Sequence, residues 1–450
     1  MGNEKQKFGL FTAISMIVGV VIGSGIFFKT DEILIATGGN IAIGVLVFCI
    51  GAFCIIFGSL SVAQLAVASK KQDGVVGYYE EFVSKRVATG FSWFQLFVYF
   101  PSLCMVISYV GGGYLCTLFR VFLDGIGRPT PAGHVIMGLL ASSVIFIFNV
   151  ISEKFAAYFQ NATTIIKLIP IVVIAIAGFF SSGENIPIPD NMTTVAAKDV
   201  GFAWIAALVP VAFSYEGWII STNMSSDVKN PKKTLPLALT IAPIIVLTAY
   251  ILYFVGISKM LGVEYVMTMR NAAVRTAGKM IFGSFGDKIL LIFIAISVFG
   301  VVNGVFMGML KLPKILQNKQ MLPSNGKGLT SKICSNPMLL TAVLCLVWSI
   351  VQYVIMKGKF LKPGSDATSV AVVLGYVFYS ILYIRVMMMK EIKSITKRFV
   401  FPILALFGVS IILIGGASAD PWYTVMFTLF CAIIFTLGFY YNDKNDKVPS

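Results

Sequence analysis

Ile14-Ser15-Met16-Ile17-Val18-Gly19-Val20-Val21-Ile22-Gly23-Ser24-Gly25-Ile26-Phe27-Phe28 is an apolar run of membrane length, broken in its interior by Gly19, Gly23, Ser24 and Gly25. A second run, Trp204 to Ile220, is broken by Ser214-Tyr215-Glu216-Gly217. Hydrocarbon gives backbone N–H and C=O groups no partner, so an interruption in a spanning helix survives only where protein, water or a ligand satisfies the groups it frees. Two interruptions in one chain point to a site inside the membrane, with the freed groups as its chemistry.

The rest of the chain agrees with that setting. Of its 450 residues, 57% are hydrophobic and only 12% charged, and the mean hydropathy is +0.87, far from the balance of a soluble domain. About 20 apolar residues cross the roughly 30 Å of hydrocarbon, and twelve such stretches begin near residues 9, 41, 91, 133, 157, 202, 235, 287, 337, 367, 399 and 421. No linker or composition shift divides the chain, so it reads as one domain over 1–450. The expected fold class is an all-α membrane protein of twelve transmembrane helices. Four spans separate the first and sixth, so these two broken helices run in opposite directions. Opposed broken helices fit an inverted repeat of five plus five, about 9–180 and 201–389, with two extra C-terminal helices over about 399–441.

The net charge of +15 is carried by loops, not by a basic tail or a basic amphipathic helix, which argues for a lipid bilayer and against nucleic acid as partner. Placing the N-terminus inside assigns 22 Lys and Arg to the inner loops and 12 to the outer ones, with Lys167 alone within a span. The positive-inside rule then predicts a multi-pass cell-membrane protein with both termini cytoplasmic. The first apolar run follows basic residues, as a signal peptide would, but no small-residue cleavage site comes after it, so it reads as an uncleaved span. Seven cysteines without a C-x-x-C pair and a single histidine, His134, leave little material for a metal centre or triad. No cofactor, metal or enzymatic activity is expected.

The breaks also have polarity. Beyond the first, Ser24, Gly25 and Ile26 open a fresh helix N-terminus whose unpaired N–H groups attract a carboxylate. The half-helix before it ends in carbonyls near Val21 and Ile22, and the outer half of span six ends in those of Phe213 and Ser214, which attract an ammonium group. Gly23, Gly25 and Gly217 permit the non-helical dihedrals and leave the backbone unshielded. Donors for a carboxylate beside acceptors for an ammonium describe a receptor for a free α-amino acid; packing alone is the competing reading of the glycines, and it suits Gly19 and the Gly300, Gly304, Gly308 series.

Only Lys167 and Glu216 are ionisable residues well inside spans, and intramembrane charge marks function by default. Lys167 is too central to snorkel easily. It should reach carbonyls freed by an unwound helix, where a fixed ammonium can replace a bound sodium ion; lining a watery vestibule is the alternative. Glu216 has three candidate roles: carrying a coupling proton, tuning side-chain selectivity, or hydrogen-bonding within the break while protonated. Tyr215 and Trp218 flank it as candidate pocket or packing residues, and Ser102, Val106 and Tyr109 are candidates on span three.

At these residues the chain resembles the amino acid–polyamine–organocation superfamily, and within it the L-type amino acid transporter branch that includes bacterial serine/threonine exchangers. The resemblance runs through essentially all twelve spans and is strongest at Val18-Gly19-Val20-Val21-Ile22-Gly23-Ser24-Gly25-Ile26-Phe27 and Phe213-Ser214-Tyr215-Glu216-Gly217-Trp218, followed by Lys229-Asn230-Pro231 and Leu235-Pro236. It implies a LeuT-type fold with alternating access. It also implies that the Ser24 and Gly25 amides hold a substrate carboxylate, that carbonyls of Val21, Phe213, Ser214 and Glu216 hold its amino group, and that Lys167 stands in for sodium, reaching span eight near Ser297. Ser226-Asp227 and Asn318-Lys319-Gln320 depart from the family's acidic pair and Arg-Asp-Gly-like loop, which leaves the charge network of the inner gate open. The expected activity is sodium-independent transport of small or medium neutral α-amino acids by exchange, with proton-coupled symport through Glu216 as the alternative and a non-transporting sensor as a third reading.

Overall fold

The computed structural model describes residues 8–71, 73–122, 130–181, 186–190, 192–324, 328–358, 368–419 and 421–445. Its principal helices are α1 (Leu10–Val21), α2 (Ile41–Ala68), α3 (Lys85–Arg120), α4 (Pro131–Ile151), α5 (Glu153–Phe180), α6 (Gly201–Ala212), α7 (Pro231–Leu261), α8 (Gly286–Asn318), α9 (Pro337–Gly358), α10 (Ser369–Met388), α11 (Phe401–Ala419) and α12 (Pro421–Asn445). Among the described residues, ten helices are long and apolar enough to cross a membrane; α1 and α6 are shorter apolar helices. Those two are the ones the sequence marks as broken. After α1 the chain continues through short helices at Gly25–Phe28 and Thr30–Ala36, and after α6 through a 3-10 segment, Trp218–Asp227.

Local chemistry sets several helix starts. Side-chain oxygens of Asn40, Ser84, Thr130 and Ser152 accept backbone N–H groups in the first turns of the helices that follow, satisfying donors a helix cannot pair internally. Small residues then set how closely the helices approach. A Cβ on Gly178 of α5 would lie 2.0 Å from the Gly256 carbonyl oxygen of α7, and one on Gly138 of α4 would lie 2.2 Å from the Ser108 carbonyl oxygen of α3. Such backbone contact is the packing that lipid-solvated helices favour.

Two local features shape the bundle further. The long basic segment between α7 and α8 is folded into helices Val263–Met269 and Asn271–Phe282, joined at Arg270 with φ 49°. A π-helical turn, Gln95–Tyr99, interrupts α3; its extra residue per turn rotates the side chains that follow, and such turns often sit at functional sites.

Both described ends of the chain lie at one face of the bundle. Phe8 exchanges backbone hydrogen bonds with Asp227 and Lys229 (3.0 and 2.8 Å), and Arg86 pairs with Asp443 at 3.1 Å. On this termini face Lys319, just past α8, pairs with Asp73 at 2.7 Å and with Glu80 of helix Gly74–Phe82, while Lys71 meets Glu80 at 2.9 Å. Burial alone would raise the Glu80 pKa, but Lys319 and Lys71 outweigh it and hold the carboxyl below its usual range. Burial likewise opposes the charged form of Lys319, and Asp73 and Glu80 outweigh it to raise the ammonium. The sign follows from linkage: the depressed carboxyl contributes stability above its unfolded pKa, lost as pH falls through the folded value, and the raised ammonium contributes below its unfolded pKa, lost as pH rises through the folded value. Lys319→Met is therefore expected to lower the melting temperature modestly at neutral pH, with the difference from the parent shrinking as the carboxylates protonate in acid. A pH series of melting curves checks this.

Candidate functional site

α1 ends because Ile22 turns to an extended conformation (φ −79°, ψ 99°), and the α6 run turns at Ser214–Gly217, where Gly217 has φ 101°. A side chain rarely adopts that φ, so glycine is required at this position. The two breaks face each other across a cavity of about 250 Å³ bordered by Val21, Gly23, Ser24 and Gly25 on one side and by Ser214, Glu216 and Gly217 on the other. A Cβ on Gly25 would meet nothing within 4 Å, so this backbone is open to whatever enters. The opposite wall is aliphatic: Leu103, Val106, Ile107 and Val110 of α3, one helical face, and Val298 and Val301 of α8. Lys29 and Thr368 border the cavity away from the termini face, where the Lys29 Nζ donates to the Pro210 carbonyl at 3.1 Å.

Lys167 is fully buried, and its ammonium donates to the carbonyls of Gly19 (2.7 Å), Ile22 (2.7 Å) and Ser297 (3.2 Å). The Ser297 hydroxyl turns to the same Ile22 carbonyl at 3.5 Å. Three N–H donors thus meet three backbone acceptors from α1, its break and α8, the full capacity of an ammonium. Tyr250 of α7 places its hydroxyl 3.1 Å from the Val21 carbonyl and 2.8 Å from that of Ser214. Of the carbonyls that the sequence left open for a ligand, Ile22 is therefore already held by Lys167, while Val21 shares the single Tyr250 proton with the nearer Ser214.

Glu216 borders the cavity with one carboxyl oxygen accepting from the Tyr99 hydroxyl, which the π-turn of α3 presents; its other oxygen has no hydrogen-bond partner among the described residues. Not every candidate converges. Ile22 and Ile26 are buried outside the lining, and Tyr215 turns away to donate its hydroxyl to the Phe48 carbonyl at 3.1 Å. Trp218 packs against Tyr379, 6.1 Å between ring centroids, and the Phe213 side chain lies outside the described residues. On α3, Val106 lines the cavity, Ser102 donates to its own helix at Tyr99, and Tyr109 stacks near His134. Leu103, Ile107, Val110, Val298, Val301, Tyr250 and Thr368 were not singled out by sequence; apolar residues in apolar helices carry no signal of which face they take.

The model of the amino acid permease family matches residues 8–448. The chain belongs to the amino acid permease family. This permease is 26% identical to the serine/threonine exchanger SteT of Bacillus subtilis (strain 168) over 98% of both chains. It is 29% identical to the human b(0,+)-type amino acid transporter 1 and 27% identical to the human cystine/glutamate transporter, matches covering 67% and 71% of the permease and 60% and 62% of those longer proteins. The solved structure of MhsT in complex with L-phenylalanine, of LeuT-type fold, aligns over 91% of this chain and all of MhsT with a TM-score of 0.61 at 15% identity, a likeness of fold alone.

Proposed function

We propose that the permease is a sodium-independent secondary transporter of free α-amino acids, working by exchange through alternating access. In this reading α1 to α12 all cross the membrane, α1–α5 and α6–α10 form inverted repeats within a single domain, α11 and α12 stand outside them, and the termini face is cytoplasmic. The substrate carboxylate meets the Ser24 and Gly25 amides, and its ammonium meets the Val21, Phe213, Ser214 and Glu216 carbonyl region beside Tyr250, with the side chain toward α3 and α8. Kinship with a serine/threonine exchanger along nearly the whole chain supports exchange of amino acids.

The observation that carries sodium independence is the seat of Lys167. A sodium ion needs oxygen ligands, and the carbonyls of Gly19, Ile22 and Ser297 at this break already surround a fixed cation. Purified protein in liposomes preloaded with neutral amino acids is expected to take up labelled amino acid without a sodium gradient, and faster than into empty liposomes. Uptake that required sodium would sink this reading.

One observation favours a second reading, proton-coupled symport: Glu216 is the carboxyl residue that borders the cavity among the described residues. Under it, Glu216→Gln abolishes uptake driven by a proton gradient while exchange persists. Under pure exchange, an imposed proton gradient drives no accumulation in either protein.

A further inference from the structure

The polar face of α5 lies along the carbonyls of α1 before the break. Gln160, Thr164 and Lys167 stand at helical spacings of four and three, as do Ser15, Gly19 and Ile22 opposite them. Asn161 donates to the Thr12 hydroxyl at 3.1 Å, Thr164 donates to the Ser15 carbonyl at 3.1 Å, and the Gln160 amide nitrogen reaches the same carbonyl at 3.4 Å. From Gln160 a second row of amides leaves in the other direction: Asn303 of α8 donates to the Gln160 Oε1 at 2.8 Å and to the Ala156 carbonyl at 3.1 Å, and Asn149 of α4 donates to the Asn303 Oδ1 at 2.8 Å. All three amides are buried, at 6% exposure or less.

Glycines make room for this row. A Cβ on Gly19 would lie 2.1 Å from the Gln160 Nε2 and 2.5 Å from the Thr164 Oγ1, and one on Gly304 would lie 3.2 Å from the Gln160 Nε2. The approach of α1, α5 and α8 is thus set to the thickness of these side chains. The links differ in strength: the Asn149–Asn303–Gln160 contacts are short and join α4, α8 and α5, whereas the link from Gln160 to α1 is the longest of the series. A body made of α4, α5 and α8 therefore grips α1 at its end through Lys167, 2.7 Å from the Gly19 carbonyl, and along the earlier turns only through longer neutral hydrogen bonds of 3.1 to 3.4 Å.

We infer that Gln160 is a positioning residue for transport, coupling the α4–α5–α8 body to the first half of α1 so that the termini face stays closed until that half is released. The inference rests on the exchange reading above. Gln160 touches no substrate; it acts on the half-helix whose end holds Lys167. Breaking its link to Ser15 favours the state open at the termini face, and apparent affinity scales with the population of the competent state. Amino acid presented to the termini face should then bind more tightly and amino acid presented to the opposite face more weakly.

The test is exchange in liposomes with KM measured separately for substrate at each face. Gln160→Met, close in size but without amide groups, is expected to move the ratio of the two KM values about five-fold, the worth of one ordinary hydrogen bond. Thr164→Val, nearly isosteric and a smaller disturbance should Gln160→Met fail to fold, is expected to move the ratio in the same direction. A purely structural loss lowers the amount of active protein and leaves both KM values alone. Unchanged ratios in the folded variants beside a parent that exchanges would overturn the inference, whereas a parent that does not exchange would overturn the functional reading instead.

Discussion

Lys167→Ala is expected to reduce amino acid exchange by about a hundred-fold or more at matched incorporation into liposomes. The alanine removes the ammonium from the carbonyls of Gly19, Ile22 and Ser297 at once and leaves Ile22 only the distant Ser297 hydroxyl, 3.5 Å away. Leaving a buried acceptor unsatisfied costs roughly 1–3 kcal/mol each, and about 2.7 kcal/mol corresponds to a hundred-fold. The cost falls at the end of α1, where Ile22 leaves the helix beside Gly23 and Ser24, so it appears as loss of the shaped break and not only as lower stability. Lys167→Met separates the two contributions of the side chain. Methionine keeps a long apolar stem through the same packing but offers no donor, so it should be as inactive as alanine. Near-parental exchange by Lys167→Met would show that the stem, and not the ammonium, is what the site requires.

The breaks were legible from sequence because the membrane makes them costly: glycine, serine and a carboxylate inside an apolar run free polar groups that hydrocarbon cannot satisfy. That Lys167 seeks carbonyls freed at the break was legible for the same reason, since a buried ammonium must find oxygen, but the residues alone left Ile22 to a ligand and read Gly19 as packing. Ser297 came from the family resemblance, and there the structure supplies a backbone carbonyl to Lys167 and a hydroxyl to Ile22. What sequence could not give is rotation. Whether Leu103, Val106, Ile107 and Val110 face a ligand or lipid depends on the register of α3, and the π-turn at Gln95–Tyr99 resets that register with no mark in composition. Tyr215 and Glu216 are neighbours in the motif, yet one donates to the Phe48 carbonyl and the other borders the cavity with its carboxyl turned to the Tyr99 hydroxyl. Long-range amide pairing was equally hidden: Gln160, Asn303 and Asn149 are distant in sequence and meet only once α4, α5 and α8 are packed. The basic segment before α8 hides its helix for a different reason: Arg275 and Lys279 interrupt in sequence an apolar face on which Asn271–Phe282 buries Ala273, Val274, Ala277 and Gly278 as an amphipathic helix.

Gly217→Ala tests the second break, and its expected effect is nearly as large. At φ 101° an alanine carries a backbone strain of order 1–3 kcal/mol. Its Cβ would also stand 2.6 Å from the Val20 Cγ1, a clash that overpacking data place at about 1–3 kcal/mol. Val20 has little room to yield, because its other methyl already sits 2.4 Å from where a Cβ on Gly304 would be, held against the α8 backbone. Relief therefore requires α1 or the α6 turn to move, which displaces Val21 and Ser214 from the Tyr250 hydroxyl. Exchange is expected to fall by roughly thirty-fold or more, the equivalent of about 2 kcal/mol at the site, with a lower melting temperature. The double variant Val20→Ala/Gly217→Ala divides the two causes. Removing the valine methyls relieves the clash but not the dihedral, so partial recovery is expected. Full recovery would mean that the turn tolerates a side chain at this φ, and no recovery would mean that the dihedral alone sets the geometry in which Glu216 and Ser214 face the α1 break.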